Sequence, residues 1–114
     1  MVVDKGARPD NWIDPSGAAM FVYSIQRGIE MGLLDKKEYG QVASRGYASP
    51  LTFAKVNERG LVDLDGGADG LCIMQDCAHY INQRRAPNAK EAVGGFLWAA
   101  AIMERPALER LKKR

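Results

Sequence analysis

Asp14-Pro15-Ser16-Gly17-Ala18-Ala19-Met20-Phe21 opens a helix that is apolar on almost every side. Asp14 or Ser16 can act as its N-cap, and Pro15 suits the first helical position. The spacing of apolar residues predicts that the helix runs to about Leu33. A helix that is apolar nearly all round at its start packs into a core rather than lying on a surface. The sequence therefore predicts a helical core.

A second helix begins at Asp35, where Glu38 three residues later completes a capping-box pattern. Pro50 should kink this helix or end it near Ser49. A link of about two residues joins the two helices, so we expect an antiparallel helical hairpin. One face of the second helix carries Tyr39, Val42, Ala43, Gly46, Tyr47 and Leu51.

The middle of the chain has a different pattern. Residues 53–56 and 61–64 flank the turn Asn57-Glu58-Arg59-Gly60, which is typical of a short β-hairpin. The glycine-rich residues 66–70 predict a loop. Residues 71–74 and 80–81 predict two further short extended segments.

The helical pattern returns after Pro87. Asn88 can cap this helix, with Glu91 at the capping-box position, and residues 92–103 are almost wholly apolar. Pro106 predicts the start of a last amphipathic helix. The 114 residues are predicted to form a single domain, 1–114, that is mainly α, with four to five helices and a short β-hairpin between the second and third helices.

Composition narrows the class of protein. The formal net charge of +2 does not indicate nucleic-acid binding, and no apolar run reaches the roughly 18 residues of a membrane helix. The first residues do not form a signal peptide. Cys72 and Cys77 match neither a CxxC motif nor a zinc pattern, so we expect free, buried thiols and a cytoplasmic protein.

Motifs that carry chemistry are sparse. Asp63, Asp65 and Asp69 lie in a glycine-rich stretch, but without the order of an EF-hand they favour a plain turn over a calcium site. His79 is predicted to be packed or hydrogen-bonded rather than catalytic with Cys77. The residues themselves predict no metal ion and no cofactor.

Two charged features of the sequence each allow two interpretations. Asp14, at the mouth of an apolar helix, is the best acid–base candidate, but it can equally be a plain N-cap. Arg84 and Arg85 can bind an anion or be solvated.

The helix that begins at Asp14 and the apolar helix over residues 92–103 both require burial on two flanks. A chain of 114 residues has too few other helices and strands to cover them. Either copies of the chain associate or the remainder of the fold is missing. In both cases a large apolar surface is expected on the monomer, and such patches mark interfaces.

The chain resembles the unsaturated glucuronyl and rhamnogalacturonyl hydrolases, glycoside hydrolase families 88 and 105. Residues 12–23 (WIDPSGAAMFVY), 27–29 (RGI) and 32–35 (GLLD) carry the resemblance. It extends from about residue 2 to Met103 through Gly60-Leu61-Val62, Tyr80, Arg85, Asn88, Val93-Gly94, Phe96-Leu97 and Ala99-Ala100. Pro15, Pro50, Ala89, Glu91 and residues 65–79 depart from the family pattern.

The resemblance implies an (α/α)6 barrel, of which this chain is similar to the C-terminal third. In the family, an aspartate protonates the C4=C5 double bond of an unsaturated uronic acid and water adds at C5. The hemiketal then falls apart and releases the sugar, without a metal ion. That aspartate lies in the family's N-terminal half, so no catalytic residue is carried over to this chain.

Asp14 and Ser16 are carried over as substrate-binding residues at the rim of the pocket, and the implied partner is an oligosaccharide. Three interpretations remain: a fragment or truncated relative that is inactive alone, a partial barrel that completes itself as a homo-oligomer and binds glycans, and a helical interaction protein. The low net charge and the lack of a long apolar run predict that neither nucleic acid nor a membrane is a partner.

Overall fold

A computed structural model describes residues 2–70 and 72–112. Its helices are α1 (Pro15–Glu30), α2 (Lys36–Leu51), α3 (Cys77–Ile81) and α4 (Lys90–Lys112), preceded by a 3-10 turn at Val3–Lys5. Its strands are β1 (Ala54–Val56), β2 (Val62–Leu64), β3 (Gly67–Ala68) and β4 (Arg85–Ala86).

Helix α1 lies between α2 and α4 and packs against both. Two glycines allow the close approach. A methyl group at Gly46 of α2 would lie 3.0 Å from Val22 Cγ2, and one at Gly95 of α4 would lie 3.1 Å from the Ser16 carbonyl oxygen. Helix α1 therefore packs into the core on the two sides covered by α2 and α4, but it is not buried all round as predicted, since Met20 and Phe21 are exposed by 46% and 53%.

The core has two clusters. The first joins the three long helices through Ala19, Val22, Tyr47 and Ala99, with Ala100 and Met103 packed against them. The second lies where the β-hairpin meets the start of α4, and contains Leu64, Ala89 and Ala92 with Phe53, Ala54 and Phe96.

The end of α1 is set by its backbone. The Leu33 N–H donates to the Gly28 carbonyl at 2.8 Å, and the Gly32 N–H donates to the Ile29 carbonyl at 3.0 Å. Gly32 has φ +71°, so this is a Schellman motif that stops the helix at Glu30. The connection to α2 is therefore residues 31–35, longer than the two residues predicted.

The β-hairpin is confirmed. Strands β1 and β2 pair antiparallel, and Ala54 lies opposite Leu64. The Asn57 side-chain oxygen accepts from two backbone N–H groups inside the turn, each at 3.0 Å. Gly60 takes a left-handed φ of +73°, a conformation that glycine adopts without steric penalty.

Three local predictions are wrong. Gly67–Ala68, predicted as loop, pairs antiparallel with Arg85–Ala86. Glycine at position 67 lets this strand lie against α4, since a methyl group there would lie 2.6 Å from Ala92 Cβ. Tyr80 and Ile81, predicted as extended, belong to α3, whose start is capped by Asp76 through the His79 N–H. Residues 72–74 form no strand, and Leu71 lies outside the described residues.

The two prolines differ in outcome: α2 ends at Leu51, close to the end predicted near Ser49, whereas Pro106 starts no new helix. Pro50 lies in the last turn of α2, fully buried, and the helix continues to Leu51. Helix α4 runs through Pro106 rather than starting again there. A proline removes one intrahelical N–H and leaves the turns before and after it hydrogen-bonded, so the helix continues.

The expected apolar surface is present. Phe21, Leu97 and Trp98 are exposed by 53%, 60% and 63%, and lie on α1 and α4, two of the three helices that form the core. In residues 2–70 and 72–112, no helix is both long and apolar enough to cross a membrane.

Candidate functional site

Asp14 and Ser16, the two residues predicted to contact substrate, lie together at the start of α1. Asp14 Oδ1 accepts from the Ser16 N–H at 3.0 Å and from the Ser16 hydroxyl at 2.7 Å. Both residues are buried, with 6% and 3% of their surfaces exposed. Asp14 is therefore the N-cap of α1, which stabilises the helix, and its second carboxylate oxygen takes no part in the cap.

Aromatic side chains stand on one side of this cap. The Trp12 indole stacks on the Tyr80 ring with centroids 5.5 Å apart and an interplanar angle of 8°, and its Nε1 donates to the Ile81 carbonyl at 3.1 Å. Burial, and the negative charge of Asp14, raise the pKa of the Tyr80 phenol. Helix α3 is thereby held beside Asp14.

The two arginines that were candidates for anion binding are already occupied. The Arg85 guanidinium lies over the Trp12 ring, 5.3 Å from its centroid. Arg84 forms an ion pair with Asp69 at 2.8 Å. The Arg84 side chain is 77% exposed, so its ion pair is solvated, and anion binding by either arginine stays a prediction.

Helix α4 stands against α1 on the other side of the cap. A methyl group at Gly95 would lie 3.1 Å from the Ser16 carbonyl oxygen, and one turn earlier lies Glu91, whose Oε2 is buried. Within the described residues this oxygen has no hydrogen-bond partner. Its Oε1 lies 4.0 Å from Lys90 Nζ. A carboxylate held in this way can accept a hydrogen bond from a ligand.

A cleft of about 230 Å³ opens in front of Glu91. The residues that line it belong to α1 and α4 and are Met20, Lys90, Glu91, Gly94, Gly95 and Trp98. The lining is mostly apolar with one carboxylate, the composition typical of a small-molecule site.

The sequence did not indicate this role for Glu91, because Asn88 was predicted to cap α4. Instead the Asn88 side chain reaches the β-hairpin: its oxygen accepts from the Leu64 N–H and its Nδ2 donates to Asp63 Oδ1, both at 2.9 Å. Asn88 has φ +56°, a left-handed conformation. The capping box predicted for Asn88 and Glu91 is therefore wrong, and the Glu91 side chain lines the cleft.

The aspartates of the glycine-rich stretch do not converge. Asp63 accepts from Asn57 and Asn88, Asp65 pairs with Lys55 at 2.9 Å, and Asp69 pairs with Arg84. The interpretation as a turn agrees with these contacts, since each carboxylate has its own donor.

The other candidate groups serve local structure. His79 Nδ1 accepts from the Gln75 N–H at 3.3 Å, as expected for a hydrogen-bonded histidine. The thiols of Cys72 and Cys77 are free as predicted, but neither is buried: Cys72 is exposed and Cys77 is only partly buried. Arg8 Nη1 lies 3.5 Å from Cys77 Sγ.

The chain is similar to a known protein family and to a solved structure. The family model described as Glycosyl Hydrolase Family 88 matches residues 1–107. The solved structure of a glycoside hydrolase from family 105 of C. acetobutylicum ATCC 824 is similar, with a TM-score of 0.82 and 25% sequence identity. The match covers 91% of this chain and 31% of that chain, so this chain spans about a third of its length. The predicted fold class, a mainly helical part of a larger barrel, is confirmed.

Proposed function

This chain belongs to glycosyl hydrolase family 88, and on that premise we propose that it is the C-terminal third of a barrel that acts on oligosaccharides ending in an unsaturated uronyl residue. The reaction of the whole barrel is hydration of the C4=C5 double bond. A carboxyl group protonates C4, water adds at C5, and the resulting hemiketal opens and releases the next sugar. Every proton is returned by water, so the reaction consumes water alone.

The observation that carries the proposal is the buried Asp14–Ser16 pair. It lies in the segment that resembles the family, at the start of a helix packed on both flanks. A carboxylate that is only half used by its cap accepts hydrogen bonds from sugar hydroxyls. We assign Asp14 and Ser16 to substrate binding and no residue of this chain to the catalytic acid.

We therefore propose that this chain is inactive alone and needs the remaining two thirds of a barrel. The exposed apolar side chains of Phe21, Leu97 and Trp98 are consistent with a missing neighbour. The cytoplasmic location inferred from the cysteines stays a prediction.

An assay of the uronyl double bond tests this function. The purified chain is mixed with an unsaturated uronyl disaccharide and the ultraviolet absorbance of the conjugated double bond is followed. We expect no loss of absorbance, but a measurable binding that weakens in Asp14→Asn and Ser16→Ala. Turnover by the chain alone would contradict the absence of a catalytic acid, and binding that ignores both substitutions would contradict the assigned site.

A second candidate function is a self-assembling module that binds glycans without catalysis. The same exposed apolar faces favour it, because copies of the chain can cover one another. Light scattering separates the two: a strict monomer at all concentrations excludes self-completion.

A further inference from the structure

We propose that the bond between Asp69 and Gly70 is a site of spontaneous covalent modification, at which Asp69 is converted to isoaspartate in the folded chain. The inference concerns the backbone that follows β3 and does not depend on the proposed function. It also states that the fold protects the second Asp-Gly bond of the chain, between Asp65 and Gly66.

The two Asp-Gly pairs are Asp65–Gly66 and Asp69–Gly70, and at no other position does a glycine follow an aspartate or an asparagine. Aspartate isomerises when the backbone nitrogen of the next residue attacks its side-chain carboxyl carbon. A glycine at the next position leaves that nitrogen accessible, because it has no side chain and its backbone rotates freely. Both pairs are therefore reactive by residue type, and their surroundings decide between them.

The reaction releases one water molecule and takes one up. First, the Gly70 nitrogen bonds to Asp69 Cγ, the bond from Cγ to the hydroxyl oxygen breaks, and the nitrogen's proton leaves with the hydroxyl as water. Water then opens the five-membered imide at the former main-chain carbonyl carbon, whose bond to nitrogen breaks. The chain now continues through Cβ and Cγ of Asp69, and the former main-chain carbonyl is a free carboxylate. No oxidant and no co-reactant besides water is needed.

The Asp69–Gly70 pair has room for this reaction. Gly70 is exposed, and a methyl group added to it would meet nothing within 4 Å. Asp69 forms an ion pair with Arg84 at 2.8 Å, and the two side chains are 36% and 77% exposed. A pair this open to solvent contributes little, so the carboxyl group leaves it readily and can turn towards the Gly70 nitrogen.

The Asp65–Gly66 pair is held by its neighbours. The Asp65 N–H donates to the Phe53 carbonyl at 3.0 Å, and a methyl group at Gly66 would lie 3.0 Å from the Phe53 ring. The next residue, Gly67, is buried in β3. Closing the imide ring rotates the backbone here and would have to displace Phe53, which packs on the second core cluster.

Charge does not distinguish the two pairs, so the comparison between them is matched. Asp65 forms an ion pair with Lys55 at 2.9 Å, and 46% of its side chain is exposed, so its carboxylate is as accessible as that of Asp69. Gly66 and Gly70 both have a left-handed φ, of +74° and +73°. The packing around each glycine therefore selects Asp69.

The conversion would remove contacts between Asp69 and the residues just before β4. The Asp69 N–H donates to the Arg84 carbonyl at 2.9 Å, and the Asp69 carbonyl accepts from Gln83 Nε2 at 3.0 Å. In isoaspartate this carbonyl becomes a carboxylate outside the main chain, and the carboxylate that pairs with Arg84 becomes part of an amide. The pairing of β3 with β4 is thereby loosened at the end next to Asp69.

The test is to age the purified chain in neutral buffer at physiological temperature and to digest it for mass spectrometry. Electron-transfer fragmentation then distinguishes isoaspartate from aspartate at each position. We expect isoaspartate to accumulate several-fold faster at Asp69 than at Asp65. A sample aged in urea should lose this difference, because both pairs are then unpacked. Equal rates in the folded chain, a faster reaction at Asp65, or no isoaspartate at Asp69 would overturn the proposal.

Variants locate the modification with an independent readout, the transfer of labelled methyl groups from S-adenosylmethionine by an isoaspartyl methyltransferase. Asp69→Glu keeps the negative charge but would have to close a six-membered ring, so most of the labelling of the aged chain should be lost. Asp65→Glu is the matched control and should be labelled like the unmodified chain. Circular dichroism establishes that both variants are folded. Unchanged labelling of Asp69→Glu would place the modification elsewhere and overturn the assignment.

Discussion

Ser16 donates two hydrogen bonds to the same oxygen of Asp14, one from its backbone N–H at 3.0 Å and one from its hydroxyl at 2.7 Å. The pair is buried, so neither bond can be replaced by solvent without a rearrangement of α1. The helix cap and the proposed substrate contact are therefore the same two residues, and stability and binding have to be measured separately.

Asp14→Ala should lower the free energy of unfolding by about 2 kcal/mol, because it removes an N-cap and leaves the buried Ser16 hydroxyl without its acceptor. Urea unfolding followed by circular dichroism measures the change. Asp35→Ala is the matched control, since Asp35 caps α2 through two backbone N–H groups at an exposed position and should cost about 1 kcal/mol. Equal losses in the two variants would contradict the role of the hydroxyl.

Neighbouring glycines of α4 should respond in opposite directions to alanine. Gly95→Ala places a methyl group 3.1 Å from the Ser16 carbonyl oxygen and should destabilise the chain by roughly 1–3 kcal/mol through overpacking. Gly94→Ala meets nothing within 4 Å and should stabilise it by about 0.5–1 kcal/mol through helix propensity. Thermal unfolding of both variants shows whether each substitution raises or lowers stability. A loss of stability in Gly94→Ala would contradict the open space around Gly94.

Asn88→Ala should destabilise the contact between the β-hairpin and α4 by about 1–3 kcal/mol. It removes the bonds to Leu64 and Asp63 while alanine still has to adopt a left-handed φ. Asn88→Gly loses the same bonds without the backbone strain, so its loss should be smaller by about 1 kcal/mol. Hydrogen exchange at the Leu64 N–H reports the local effect, and an unchanged exchange rate would contradict it.

Asp63 should titrate below the ordinary range of an aspartate. Hydrogen bonds from Asn88, and then from Asn57, lower the pKa of its carboxyl group. A lowered folded pKa gives stability that is present above the unfolded pKa and is lost as the pH falls through the folded one, below about pH 4.

An NMR titration of the Asp63 carboxyl carbon measures this pKa directly. In Asn88→Ala the pKa of Asp63 should rise towards its ordinary value. Asp10 is the internal control, because its lowered pKa is due to Arg8 and should not move. An Asp63 pKa that is the same in both proteins would refute the hydrogen bond from Asn88.

Tyr47 should make the chain sensitive to alkali. Burial, and then the charge of Glu104, raise the pKa of its phenol. A raised folded pKa gives stability that is fully present below the unfolded pKa, near 10, and is lost as the pH rises through the folded value. The free energy of unfolding should therefore fall above about pH 10, and Tyr47→Phe should show a smaller fall. Urea unfolding midpoints measured across this pH range test the predicted fall in stability, with Tyr39→Phe as the control on the same helix.

Local interactions explain which parts of the fold were predictable. Asp14 and Asp35 cap their helices through groups two or three residues away, and Asn57 closes the hairpin turn within four residues. Such bonds form between neighbours in the chain and depend little on what surrounds them. The start of each of these helices and the turn of the hairpin could therefore be derived from residue order.

The cleft could not be predicted in this way. Glu91 has an unpartnered oxygen because Asn88 turns to residues 24 and 25 positions earlier instead of capping α4. The pairing of Gly67–Ala68 with Arg85–Ala86 likewise joins strands distant in the chain. Sequence spacing does not show which of several distant partners a side chain or a strand will pair with.

The sequence by itself determined the helical class, the caps of α1 and α2, the hairpin and the resemblance that the family match confirms, because these depend on short-range bonds and on the order of residues. The tertiary structure alone decided which acceptors are left without a donor. That outcome depends on how three helices and a hairpin divide a fixed number of hydrogen-bonding groups when they pack, and at Glu91 the division leaves one oxygen without a partner among the described residues.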